Sequence, residues 1–319
     1  MNTQNRLENV APTCSAATEP TSSRGPSVTA AVVAATLLLL RGDAELGHLI
    51  DETALRPLEL AIRATVPLLG LAIDHVPWPL LRRSALVIER LLSPGFVAHY
   101  ALRKSAVRTE LLRAIADGHR QVVLLGAGFD MLGSSLPDGA RIFEVDHPAT
   151  QAAKRHALRG VVSRAVTFVA VDLAVSDLQD ALLAAPGFDR AADTVFVAEG
   201  LLMYLSPSRV GALLQALVEN GSRRTRAVLT VITPDAAGRF RLHTQRHAVD
   251  VSMRWLDEPF VWGAPRSALE PLLREHGLHV RRIVSTFELR EALLEQPARR
   301  RLPRPTGELV VVADGTSAQ

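Results

Sequence analysis

The sequence predicts an α/β protein: a doubly wound, Rossmann-like sheet of seven strands with a helical cap ahead of it. Two observations carry that prediction. After residue 120, short apolar runs recur with helical patterns between most of them, the signature of parallel strands buried on both faces. Before residue 120 the apolar pattern is helical throughout, and no run reads convincingly as a strand.

The chain has 319 residues, 48% of them hydrophobic, enough to bury a sizeable core. Residues 1–27 read as a disordered leader rich in Ser, Thr and Pro. With no basic n-region and no apolar h-region, it is not read as a signal peptide. The single cysteine, Cys14, falls there, which excludes an intramolecular disulfide and a Cys-based zinc site.

Residues 28–119 form the expected cap, with helical blocks at 29–40, 58–71, 79–92 and 96–116 split by Pro or Gly. The first block is shorter than the roughly 20 residues a membrane span needs. The stretch at 61–81 is interrupted by Arg63, Asp74 and His75. The expectation is a cytoplasmic protein with no membrane partner.

Residues 120–319 are read as the sheet domain. Strands are predicted at 121–125, 141–145, 166–170, 194–198 and 227–232, with helices such as 149–159 and 207–218. A helix at 267–276 stopped by Gly277, a strand at 279–286, a helix near 288–295 and a strand at 307–313 complete the pattern. Two late strands after a five-strand run suit a sheet whose last strand inserts antiparallel.

The formal net charge is +3, and the basic residues are almost all arginine, with lysine only at Lys104 and Lys154. That bias reads as genome composition. The densest basic run, Arg299 to Arg301 with Arg304, has no interleaved aromatics on which bases could stack, so no nucleic-acid partner is expected. A homo-oligomer stays open.

The chemistry is expected at the strand tips. Leu125-Gly126-Ala127-Gly128 follows the first strand, and glycine there lets the backbone approach a ligand. A dinucleotide loop would carry a third glycine where Met131 stands, so a ligand without a pyrophosphate fits better. Asp146 ends the second strand and could accept the hydroxyls of a ribose. Its alternative is a helix cap before Pro148. Asp172 ends the third strand beside Leu173, and Glu199 ends the fourth. Three acids at three successive tips suit a ligand with sugar hydroxyls, an amine and a sulfonium.

These segments resemble the leucine carboxyl methyltransferase family, and more closely its bacterial branch named as putative S-adenosylmethionine-dependent O-methyltransferases. The resemblance is carried by Arg120 to Asp130, by Phe143-Glu144-Val145-Asp146-His147-Pro148-Ala149-Thr150-Gln151, by Ala198 to Leu205 and by Asp257-Glu258-Pro259-Phe260-Val261-Trp262-Gly263. It implies a class I methyltransferase sheet and S-adenosyl-L-methionine as cofactor. Arg103 would then hold the cofactor's carboxylate, Gly126 and Gly128 would form its loop, and Asp146 would bind the ribose. Asp172 and Leu173 would face the adenine, and Glu199 the methionine end. Two departures stand out. The family's Asp-Thr-Arg-Ala-Tyr-Arg run is replaced after Asp130 by Met131-Leu132-Gly133-Ser134-Ser135, and Lys104 stands where a small polar residue is common.

A carboxylate acceptor needs no general base, whereas a phenol or alcohol benefits from one. His147 and Tyr204 are the weak catalytic candidates, with His243 and His247 behind them. A small hydrophobic acceptor is expected under the cap, and no metal. Two rival readings are a nicotinamide-dependent oxidoreductase and a non-catalytic S-adenosylmethionine-binding regulatory or assembly protein.

Overall fold

The computed structural model describes residues 25–159, 161, 166–221, 224–303 and 307–315. Most of the leader, including Cys14, lies outside them, as does Arg304 of the basic run.

Five helices come first: α1 (Val28–Leu38), α2 (Leu55–Thr65), α3 (Pro67–His75), α4 (Trp78–Leu92) and α5 (Phe96–Ala116). The block expected at 58–71 is two helices, broken at Val66. Pro67 has no N–H to donate and disfavours a helical conformation in the residue before it. Val66 accordingly sits at φ −119° and ψ 85°.

The strands are β1 (Gln121–Leu125), β2 (Arg141–Asp146), β3 (Thr167–Ala170), β4 (Thr194–Ala198), β5 (Thr225–Ile232), β6 (Leu278–Ser285) and β7 (Glu308–Gly315). Among and after them run α6 (Pro148–Ala157), α7 (Leu178–Leu183), α8 (Pro207–Glu219), α9 (His247–Trp255), α10 (Arg266–Glu275), α11 (Thr286–Leu293) and α12 (Gln296–Arg301). The order across the sheet is β3-β2-β1-β4-β5-β7-β6. The first five strands are parallel, and β7 runs antiparallel to both β5 and β6, as the sequence led us to expect.

Side chains alternate across the sheet as a pleat requires. Val122, Leu124, Val195 and Val197 face a core shared with α1, α2 and α5. Val123, Leu125, Phe143 and Phe196 face a second core with α7, α8 and α10. Helix α6 leans on the first core and α8 on the second, so the crossovers from β2 and β4 leave on opposite faces. Among the described residues no helix is long and apolar enough to cross a membrane.

Phe196 is fully buried in the middle of β4. Its replacement by alanine should lower unfolding free energy by about 3–5 kcal/mol. Urea titration would read this as a lower midpoint at an unchanged slope.

Candidate functional site

The site begins at the tip of β1. Gly126 and Gly128 take φ of +64° and +49°, a region side-chain-bearing residues rarely enter. A Cβ on Gly126 would lie 3.0 Å from the Leu201 Cδ1, and one on Gly128 would lie 3.3 Å from the Ala30 Cβ of α1. Helix α1 therefore lies against the glycine loop. Its first turn is fastened by Thr150, whose Oγ1 accepts from the Ser27 N–H at 3.1 Å. Glu258 fastens it as well, its Oε2 accepting from the Thr29 N–H at 3.1 Å.

Asp146 closes β2 beside this loop. Its carboxylate accepts from the Gly128 N–H and, at 2.6 Å, from the His147 N–H. Burial pushes the Asp146 carboxyl upward, and those two N–H groups partly offset the effect. The helix-cap alternative for Asp146 falls to its neighbour: the N-cap of α6 is His147, whose Nδ1 accepts from the Ala149 N–H at 3.3 Å.

Helix α5 supplies a buried ion cluster. Arg103 donates through Nε to Glu199 Oε1 at 2.9 Å and through Nη1 to both Glu308 oxygens at 3.0 Å. Its guanidinium lies over the Tyr100 ring, 4.3 Å from the centroid. One helical turn before Arg103, His99 Nε2 meets Glu308 Oε2 at 2.6 Å. The next residue, Lys104, reaches Glu199 Oε2 at 2.9 Å and also the Asp130 carboxylate. From α6, Lys154 donates to the Asp130 carbonyl and pairs with Glu144 at 2.7 Å.

Burial opposes the charges of Arg103, Lys104, Asp130 and Glu308, and their partners outweigh it; at Glu144 burial prevails over Lys154 and raises the carboxyl. Burial disfavours the Arg103 charge, but Glu308 beside it holds the guanidinium well above its ordinary range. Burial likewise works against Lys104, and Asp130 and Glu199 raise it regardless. Burial would lift the Glu308 carboxyl, yet Arg103 and His99 bring it down to about 2. Asp130 is lowered against its own burial by Lys104.

Of these groups Arg103, Lys104, Asp130, Glu199 and Glu308 open on one cavity of about 2110 Å³, well above the ~300–1,000 Å³ of an ordinary ligand pocket. Arg103, Gly126, Gly128, Asp146, Glu199 and Tyr204 all line it. The rest of the lining is largely apolar and comes mostly from α1, α3, α4, the start of α5 and α9, with Trp78, Ile88, Phe96 and Met253 among its residues. Tyr204 packs edge-on against Phe260 at 5.4 Å, and burial raises its hydroxyl pKa, with Glu258 adding to the effect. Asp172 and Leu173 fall outside the lining, which takes Ala174 and Val175 instead. The Asp172 Oδ1 accepts from the Ala174 N–H at 2.9 Å, and Leu173 is buried in the second core. His147, His243 and His247 do not line the cavity.

Sequence reasoning missed Glu308 and His99. A signal for each was present. The first residue of an antiparallel strand lies at the same edge as the last residues of its parallel neighbours, and β7 begins with Glu308, opposite Ile232 at the end of β5. His99 lies four residues before Arg103 and so shares its helix face. The replaced run after Asp130 packs inward: Met131 and Leu132 are buried, and Leu132 contributes apolar wall to the cavity.

This fold and site define an α/β protein with a large cavity at the carboxyl edge of the sheet, and comparison with known proteins supplies its family. Residues 79–218 match the family model described as leucine carboxyl methyltransferase. A Streptomyces avermitilis protein named "Putative S-adenosyl-L-methionine-dependent methyltransferase" is 36% identical over 202 residues, 58% of this chain and 70% of that one. A Streptomyces coelicolor protein with the same description is 42% identical over 146 residues, 42% of this chain and 50% of its own. The chain spans about half the length of the first curated relatives it matches.

Two solved structures share the fold. One is a DUF574 family protein from Streptomyces avermitilis, 13% identical with a TM-score of 0.55, covering 74% of this chain and 90% of that one. The other, from Thermobifida fusca and titled a putative methyltransferase, is 17% identical with a TM-score of 0.53, covering 74% and 88%. The chain belongs to the leucine carboxyl methyltransferase family.

The Glu308 carboxyl lies near 2 in the folded protein against an ordinary 4.5. Because the folded value is depressed, its stabilisation is complete above pH about 4.5 and is lost as pH falls toward 2. Unfolding free energy should therefore decline more steeply across that window in the wild type than in Glu308→Gln. Equal slopes would remove Glu308 as a source of the acid sensitivity.

Proposed function

We propose that this protein is an S-adenosylmethionine-dependent methyltransferase acting on an oxygen, carboxylate or hydroxyl, of a hydrophobic small molecule. The observation that carries the reading is the convergence of Gly126, Gly128, Asp146, Arg103 and Glu199 on one cavity in a chain of this family.

The residues present fit the cofactor. Both loop glycines line the cavity, so a nucleoside there would meet backbone rather than side chain; a Cβ on Gly126 or Gly128 would press on Leu201 or Ala30. Asp146 would turn its carboxylate to the ribose hydroxyls. Arg103 would hold the carboxylate of the methionine end through a charge-assisted pair. Two cations, Arg103 and Lys104, stand against three carboxylates, Asp130, Glu199 and Glu308. Asp146 adds a further acid to the cavity wall, and this acid excess favours a cationic ligand and opposes the two phosphates of a dinucleotide. When bound, S-adenosylmethionine supplies a methyl group activated by its sulfonium sulfur.

The protein's own part is alignment and the exclusion of water. Helix α1 lies against the glycine loop, and the apolar walls from α3, α4 and α9 surround the remaining space. An acceptor entering there meets mainly hydrocarbon, so its apolar body would supply most of the binding and its oxygen would be directed toward the polar lining. A carboxylate would attack without a base. For a phenol or alcohol, Tyr204 is the candidate group at the wall, with its hydroxyl held protonated by burial, so that it orients the acceptor as a donor.

Calorimetry with S-adenosylmethionine, S-adenosylhomocysteine and NAD, on wild type and Asp146→Ala, tests the cofactor. The wild type should bind the first two and not NAD. The variant should lose about 10- to 100-fold, the worth of hydrogen bonds to a charged group. Binding of NAD alone, or of nothing, would end the reading. Conversion of S-adenosylmethionine to S-adenosylhomocysteine with a panel of apolar acids and phenols then tests catalysis. Binding without turnover across the panel would favour a regulatory cofactor-binding protein.

A further inference from the structure

Arg103 has three donor nitrogens to place, and the structure shows partners for two of them. Nε is taken by Glu199 and Nη1 is shared between the two oxygens of Glu308. Among the described residues Nη2 has no hydrogen-bond partner. It lies 3.3 Å from the position a Cβ would take on Gly200, and both residues line the cavity. Gly200 stands at φ +67°, with its N–H turned away to Thr230 Oγ1 at 2.9 Å. The bare Cα leaves Nη2 uncovered on the cavity side.

Glu308 is itself fixed. Its side chain is fully buried, and His99, also buried, takes Oε2 at 2.6 Å. The strand register sets it opposite Ile232, at the carboxyl edge of the sheet. We propose that Glu308, backed by His99, is a positioning residue that clamps Arg103 so that Nη2 is presented to the carboxylate of the bound cofactor. This rests on the cofactor reading above. The physical benefit is preorganisation. A free arginine carries a large rotamer entropy, and a side chain already held by two carboxylates and an aromatic ring has little of it left to lose on binding.

The clamp acts on one end of the cofactor only, which gives a test that a general loss of stability would not mimic. S-adenosylhomocysteine has the amino-acid carboxylate, and 5′-methylthioadenosine has the same nucleoside and a thioether sulfur without it. Binding of both is measured by calorimetry on wild type, Glu308→Gln and His99→Gln, with thermal unfolding in parallel. In Glu308→Gln the affinity for S-adenosylhomocysteine should fall about 10- to 100-fold, the value of a hydrogen bond to a charged group, while that for methylthioadenosine stays within about twofold. His99→Gln should show the same selective loss to a smaller degree, about threefold, since it acts on Arg103 only through Glu308.

An equal fall for both ligands would make Glu308 merely structural and overturn the proposal. So would unchanged binding of S-adenosylhomocysteine in a folded Glu308→Gln. Should Glu308→Gln not fold, His99→Gln decides, and the absence of selective loss there overturns the clamp. A wild type that binds neither ligand defeats the cofactor reading and the clamp with it. A wild type that binds S-adenosylhomocysteine while both variants match it defeats the clamp alone.

Discussion

The position of β1 between β2 and β4 governs the rest of the molecule. Chain order reverses there, and the two flanking crossovers leave toward opposite faces of the sheet. A crevice at the carboxyl edge is the geometric result. Everything with chemical character then gathers along that edge: the glycine loop of β1, Asp146 of β2, Glu199 after β4. The helices ahead of the sheet are placed by the same constraint. Helix α5 packs on β4, β5 and β7, which brings His99, Arg103 and Lys104 to the edge from one side. Helix α1 reaches it through Ala30.

The edge is held by charge in a setting where charge is costly to bury. Arg103, Lys104, Asp130 and Glu308 each have an opposite partner at hydrogen-bond distance, and that partner outweighs burial. The chain carries only two lysines, and both converge on Asp130, Lys104 on its carboxylate and Lys154 on its carbonyl. A compact ammonium on a flexible stem can reach such a point where a planar guanidinium needs room for its fork. Asp130, two residues after the glycine loop, is thus pinned from α5 and from α6. This gives a physical setting for the departures at Lys104 and after Asp130: the cation near Asp130 comes from α5, while Met131 and Leu132 turn inward as apolar packing.

The fold was legible because its signals are local. Gln121–Leu125 and Thr194–Ala198 are continuous apolar runs between turn residues, and Phe96–Ala116 is a long helical pattern set off by Gly95; all three are observed with the expected bounds. The break at Val66 was missed because a proline near the middle of an apolar block can kink a helix or end it. Helix α9 was missed because His247–Trp255 mixes polar and apolar residues and buries only Met253. In the site, Gly126, Asp146 and Glu199 follow directly from strand ends. Arg103 came only through resemblance, since a single arginine on a helix carries no spatial information. Glu308 and His99 depend on which strand neighbours which, and that pairing is a long-range fact that a strand's own residues do not encode.

The interior place of β7 bears on how the protein comes to be made. Residues 308–315 lie between β5 and β6 and satisfy the backbone hydrogen bonds of both. During synthesis β6 emerges before β7, its one strand partner among the described residues, and β5 waits with one edge open. Unpaired edges of this kind invite wrong pairings while they last. The sheet closes only once residues 308–315 are in place, and Glu308, the acid that holds Arg103, is brought by the same strand. A chain without β7 would keep its glycine loop and still leave Arg103 without that partner.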